Sequence, residues 1–217
     1  MFGIRIAAIL LMAIPAWAAE PYRGPIIDMH MHSYEPATDI MQSNPIANGK
    51  PAIPPGMNHM TASLRAMRER NVVLGMVSAD DADMASALRW HAADPSRIIA
   101  GAGFNGSDEP IPNIAQLRHD TEQGKYHVIG EIGAEYAGKS LSDPVYEPVL
   151  ALAEEFDFPV GVHTGISFPG ISYNPCCRNF RTMYGNPQTV EEVLNHHPKL
   201  RLYLMHAGCH ILRRPWR

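Results

Sequence analysis

Residues Ile26-Ile27-Asp28-Met29-His30-Met31-His32 decide how the rest of the chain is read. Two apolar residues lead into three polar ones, Asp28, His30 and His32, which alternate with Met29 and Met31. In an extended strand successive side chains take opposite faces, so the three polar groups share one face. Two imidazoles two residues apart at a strand end can grip one metal ion together. A bare His-x-His pair also fits a wet strand face, so its meaning depends on what the chain places beside it.

Upstream, Arg5 is followed by the apolar run Ile6–Ile14, then Pro15 and the small-residue pattern Ala16-Trp17-Ala18. This reads as a secretory signal peptide over residues 1–19, cleaved near Ala18 or Ala19, and predicts a periplasmic or secreted protein. The run is shorter than the roughly 20 residues a membrane span needs, which leaves a retained N-terminal anchor as the lesser alternative. Residues 20–217 are then expected to form one domain.

Downstream, proline and glycine crowd residues 33–58 (Pro36, Pro45, Pro51, Pro54, Pro55, Gly49, Gly56), so a long loop follows the first strand. A loop of that length in a compact domain commonly covers a site. From there strands and helices alternate. Helices are expected over 61–70, 81–93, 111–123, from Asp143-Pro144 onward and from Asn186-Pro187 to His196. Strands are expected over 72–77, 97–104, 127–132, 159–163 and 200–206. These strands are continuous apolar runs, as when both faces of a sheet are covered. Six strand–helix units in this order predict a parallel sheet with crossover helices. A dinucleotide-binding fold would need a glycine-rich phosphate turn after the first strand, and none is present. Polar residues instead stand at the C-terminal ends of several strands, where a (β/α)8 barrel of the TIM type assembles its site. The expectation is such a barrel, incomplete, with about six units.

Those strand ends carry Glu131 in Gly130-Glu131-Ile132-Gly133, His163 in Val162-His163-Thr164-Gly165, and His206 in Met205-His206-Ala207-Gly208. Singly, each has an ordinary reading as a partnered core group. Together with His30 and His32 they are four imidazoles and a carboxylate at one barrel mouth, which are metal ligands by type. A divalent metal is expected, zinc before the others, as one ion or two.

These residues resemble the metal-dependent amidohydrolase superfamily and its amidohydrolase-related branch. The likeness lies in Asp28-x-His30-x-His32, Gly130–Gly133, His163, and Pro198-Lys199-Leu200 with His206-Ala207-Gly208. It implies that His30 and His32 bind a first metal and that His163 binds the same ion or a second. Glu131 stands where many members carry a bridging carboxylate or a carbamylated lysine. Its Gly-Glu-Ile-Gly context resembles TatD-like nucleases, in which the glutamate touches two metals. In mononuclear relatives, including aromatic-acid decarboxylases, the residue at the place of His206 handles protons or orients the nucleophile. Asp28 is expected to support the ligands from the strand, with direct metal binding as the alternative.

The implied activity is metal-dependent hydrolysis of an amide, ester or related bond in a small molecule, with Glu131 and His206 as catalytic residues. Decarboxylation of an aromatic acid is the alternative. The resemblance also implies a catalytic aspartate on an eighth strand, which cannot be found in the sequence. After Gly208 the segment Cys209–Arg217 does not read as a capped helix. A C-terminally truncated chain, inactive in the extreme case, is therefore a further expectation. Arg178, Arg181 and Tyr34 are weaker candidates for holding substrate.

The remaining features narrow the field. A net charge of −4 with mixed signs offers no basic stripe for nucleic acid and no polybasic patch for a membrane surface. The cysteines Cys176, Cys177 and Cys209 form no zinc motif and are read as incidental. His59, His91, His119, His127, His196, His197 and His210 are read as surface residues.

Overall fold

The computed structural model describes residues 22–33, 58–79, 84–104, 111–167 and 170–208. The signal-peptide segment, the 34–57 loop with Tyr34, and the 209–217 tail with His210 lie outside the described residues.

Six strands, β1 (Ile26–His32), β2 (Val72–Ser78), β3 (Ile98–Phe104), β4 (Val128–Ile132), β5 (Pro159–His163) and β6 (Arg201–Met205), pair in sequence order. Every pairing is parallel, from Asp28 opposite Gly75 at one side to His163 opposite Met205 at the other. Between them run α1 (His59–Glu69), α2 (Ala85–Ala93), α3 (Ile114–Glu122), α4 (Glu147–Glu155) and α5 (Val190–His196). The result is a curled half-barrel of the TIM type with about six βα units. Because all strands run the same way, all their C-terminal ends lie on one edge of the sheet. Residues far apart in sequence therefore meet there.

Local chemistry sets the helix boundaries. The Asn58 side chain caps α1 by accepting the Thr61 N–H at 2.8 Å, and Asn113 caps α3 through Gln116 N–H at 3.1 Å. Gly124, at φ 69°, follows α3 in the left-handed conformation that glycine adopts most easily. Asp143-Pro144 and Asn186-Pro187 do start ordered segments, with Asp143 and Asn186 accepting from Val145 and Gln188 at 3.1 Å each. Each begins, however, as a 3₁₀ turn, Pro144–Tyr146 and Pro187–Thr189, before the α-helix proper. Proline's fixed φ suits the first turn, and the Asx cap closes it one residue tighter than an α-turn.

The main core lies between β3, β4, β5 and helices α3 and α4, with Leu117, Ile129, Ile132, Val149, Leu152 and Val160 nearly or fully inaccessible. A second cluster (Leu64, Met67, Val77, Trp90, Ile98) packs α1 and α2 against β2 and β3. Leu64 and Met67 are the α1 residues that helical spacing places on its inner face. All five residues of β4 are buried, as expected for a strand covered on both faces. β1 and β6 depart from that expectation: Ile27, Met29 and Leu204 are exposed. Each is an outer strand of the six, so among the described residues it has a neighbour on one side only. No helix among the described residues is long and apolar enough to cross a membrane.

The cysteine reading needs correction. Cys177 is buried against Ile171 and Phe180 and is disulfide-bonded, so it is structural rather than incidental.

Candidate metal centre

His30 and His32 project from the end of β1, Glu131 from the end of β4, His163 from the last residue of β5, and His206 immediately after β6. Their donor atoms converge. His30 Nε2 and His32 Nε2 are 2.9 Å apart, and they stand 3.3 and 3.2 Å from Glu131 Oε2. The other carboxylate oxygen, Oε1, faces His206 Nε2 at 3.5 Å. The His206 ring lies 4.7 Å from that of His30 and 4.6 Å from that of His163, centroid to centroid. Two groups thus form, His30–His32–Glu131 and Glu131–His163–His206, each with donor atoms within 4.8 Å of one another. Glu131 belongs to both.

Electrostatics point the same way. Burial would raise the Glu131 carboxyl, but its contacts with His206, His30 and His32 and the nearby His163 outweigh that and hold it far below the ordinary carboxylate range. It is therefore an anion buried at the centre of four imidazoles. Its Oε1 is inaccessible and, among the described residues, has no hydrogen-bond partner beyond the 3.5 Å approach of His206 Nε2. A buried anionic oxygen without a near donor costs free energy unless a cation or proton comes to it. The donor set of imidazoles and carboxylate suits a divalent transition ion, so the residues present fit the metal the fold implies.

The backbone reinforces the placement. Gly130 has φ 141°, and a Cβ there would lie 2.8 Å from the Gly161 carbonyl oxygen, so only glycine lets β4 approach β5 just before Glu131. His206 and Ala207 have φ of 59° and 46°, a conformation that costs L-residues about 1 kcal/mol or more each. Thr164 secures this strained turn: its buried hydroxyl donates to Met205 O at 2.7 Å and accepts the Gly208 N–H at 2.9 Å. Strain held by a buried clamp at a strand tip is characteristic of sites that must present a side chain.

Asp28 accepts the His30 backbone N–H at 3.0 Å through Oδ1, steadying the strand tip beneath the histidine pair. Arg178 and Arg181 are exposed, and neither is hydrogen-bonded or ion-paired to the cluster among the described residues. Arg181 turns its guanidinium onto the carbonyls of Phe180 and Arg178. Its backbone N–H reaches Glu135 O at 3.0 Å, so it braces the turn after β4.

Sequence reasoning missed the groups around His163. Glu135, 1% exposed, lies in the 3₁₀ turn Ala134–Ala137 and is hydrogen-bonded to His163 Nδ1. Burial would lower the His163 imidazole, but Glu135 at its side and Glu131 beyond hold it above the ordinary value. The Tyr136 hydroxyl lies 3.4 Å from His163 Nε2 and donates to Ser167 Oγ at 3.2 Å. The available signal was a second glutamate four residues after Glu131 in the same glycine-bounded segment. Nothing in the sequence says that a turn will fold it back onto β5.

Three histidines read as surface residues are not. His59 is half-buried at the start of α1, edge-on to Trp90 at 5.1 Å, and burial followed by the nearby His32 holds its imidazole below the ordinary value. His91 is half-buried, its Nδ1 2.6 Å from Ile98 O. His197 is buried between two glutamates. His119, His127 and His196 are exposed.

With the geometry in place, comparison with known proteins is decisive at one level. The amidohydrolase family profile matches residues 27–216. The chain belongs to the amidohydrolase family. An uncharacterized TIM-barrel protein from Bordetella bronchiseptica matches with a TM-score of 0.57 at 15% identity, over 87% of this chain and 69% of that one. A 2,6-dihydroxybenzoate decarboxylase from Rhizobium matches with a TM-score of 0.53 at 14% identity, over 89% and 73%. A 4-oxalomesaconate hydratase from Rhodopseudomonas palustris matches at 0.51 and 15%, over 84% and 63%. At these identities the likeness shows the shared fold. No curated protein matches.

Proposed function

We propose that this amidohydrolase-family chain is a metal-dependent hydrolase of an amide, ester or related bond in a small molecule. The observation that carries the reading is the convergence of four imidazoles from three strand ends on one buried, ionised carboxylate at a fourth. His30, His32, Glu131 and His163 would hold a divalent ion, and His206 would stand beside it. Such an ion lowers the pKa of bound water toward ~7 and polarises the bond under attack.

The chain's own groups divide the remaining work. Glu131, kept ionised, supplies the negative charge that balances the cation and ties the two histidine groups together. His206 is the most exposed member, its side chain 38% accessible, against 24% for His30, 18% for His32 and 9% for His163. It is therefore the one placed to meet a substrate and to move a proton at Nε2. Asp28 and Thr164 hold the strand tips that carry these groups.

The test is metal analysis of the purified protein and of His30→Ala, alongside turnover of an amide and ester panel with and without chelator. The expected result is a stoichiometric divalent ion in the parent protein. The variant should lose more than about a hundredfold in metal affinity, a larger loss than removing an outer-shell partner causes. Full metal content after the change would overturn the reading. Chelator-sensitive release of CO2 from an aromatic acid, with no hydrolysis, would move it to decarboxylation, the activity named for the Rhizobium neighbour.

A further inference from the structure

Among the described residues, Glu135 is the one fully buried carboxylate beside the cluster that neither the strand-tip pattern nor the ligand set accounts for. It sits on the turn Ala134–Ala137, one step beyond the strand that carries Glu131, and its side chain reaches across to β5. There it meets His163 Nδ1, the nitrogen on the side of the ring away from Tyr136. The turn itself is fixed: Glu135 O accepts backbone N–H groups from Gly138 at 3.1 Å and from Arg181 at 3.0 Å. The backbone that carries the carboxylate is thus held from two sides.

A neutral imidazole has one N–H and one lone pair, and its hydrogen-bond partners decide which nitrogen carries which. A carboxylate can only accept. Placed at Nδ1, it selects the N–H there and leaves the lone pair on Nε2. The Tyr136 hydroxyl, 3.4 Å from Nε2 and donating to Ser167 Oγ, makes the longer and uncharged contact, which is weaker than one to a carboxylate.

We infer that Glu135 is a positioning residue that fixes His163 as the Nδ1–H tautomer and fixes its ring orientation, so that Nε2 offers its lone pair to the centre. The inference rests on the metal-centre reading. It acts through His163, so Glu135 itself touches neither ion nor substrate. Groups of this kind beside ligating histidines influence metal affinity by about 10–100-fold.

The experiment uses the whole chain and two variants, Glu135→Gln, which keeps an acceptor but loses the charge, and Glu135→Leu, which removes both. Zn2+ affinity is measured by titration calorimetry. The tautomer of His163 is read from its ring 15N shifts in metal-free protein, at a pH where the ring is neutral. The expected order of affinity is parent, then Gln, then Leu, with Leu weaker by about 10–100-fold. The parent should show a protonated Nδ1 and a lone pair on Nε2, and Leu should lose that preference. Equal Zn2+ binding and unchanged 15N shifts in all three proteins would overturn the positioning role while leaving the metal centre standing. A parent protein that binds no Zn2+ would instead remove the metal-centre reading, and the tautomer measurement would still judge Glu135. If either variant fails to fold by circular dichroism, the parent spectrum decides: an Nε2–H tautomer at His163 refutes the inference.

Discussion

Two buried histidines, His163 and His197, stand at opposite ends of the sheet and show how similar surroundings serve different ends. Both are nearly inaccessible, at 8% and 5%, and both touch glutamate. His197 lies just after α5, before the N-terminal end of β6, and its two nitrogens are both taken. Nδ1 is 3.2 Å from Glu154 and Nε2 is 3.1 Å from Glu147, both on α4. The Lys199 N–H adds a third link, to Glu154 at 2.8 Å. Both nitrogens face carboxylates, so neither is open to a ligand, and His197 ties α4 to the turn that leads into β6. His163 lies at the C-terminal end of β5 with Nδ1 held by Glu135, while Nε2 has only the 3.4 Å contact of the Tyr136 hydroxyl, and the ring belongs to the donor cluster. The distinction is what the ring nitrogens meet: a carboxylate at each nitrogen of His197, but at only one nitrogen of His163. It agrees with the division of parallel barrels into a stabilising face and a reactive face.

The comparison breaks most visibly if the two histidines are exchanged in role. His163→Ala should weaken Zn2+ binding by more than about a hundredfold, since it removes a ligand and not only its support. His197→Ala should leave Zn2+ affinity unchanged while lowering stability by about 1–3 kcal/mol. For a chain of this length that corresponds to a fall in Tm of about 2–4 °C per kcal/mol. Calorimetric titration and thermal melts on both variants check the pair. Metal loss on changing His197, or full retention on changing His163, would erase the distinction.

A smaller effect sharpens the structural half. Burial would lower the His197 imidazole, but its contacts with Glu147 and Glu154 outweigh this and raise it above its unfolded value. A group raised on folding contributes stability that is fully present below the unfolded pKa of about 6.5 and lost as pH rises through the folded one. The Tm gap between the parent and His197→Gln should therefore be wider near pH 5.5 than near pH 8.5, by about 1–2 °C because Glu147 is largely exposed to solvent. A gap that widens with rising pH would contradict the clamp.

The strand ends were readable for a definite reason. Asp28, His30, His32, Glu131, His163 and His206 each follow an apolar run, and a polar residue that ends such a run has few places to go. In a parallel sheet it has one edge. The same reasoning failed for His197, His91 and His59, which carry no strand pattern; their burial depends on how a helix end meets its neighbour. It said nothing of the Arg181 backbone N–H, which no side-chain chemistry advertises. For Cys177 the signal was too sparse, because an odd number of cysteines does not state which of them pair.

By itself the sequence determined the element order, the parallel sheet, the edge on which these polar side chains collect and the five of them that meet there. Periodicity, caps and strand-end residues are properties of consecutive positions, so a linear reading captures them. Only the tertiary structure decided that Glu135 folds back onto His163, that Thr164 clamps the strained turn at His206 and that His197 is held from both sides. Those contacts join positions 28 to 50 residues apart, through turns whose direction is set by packing.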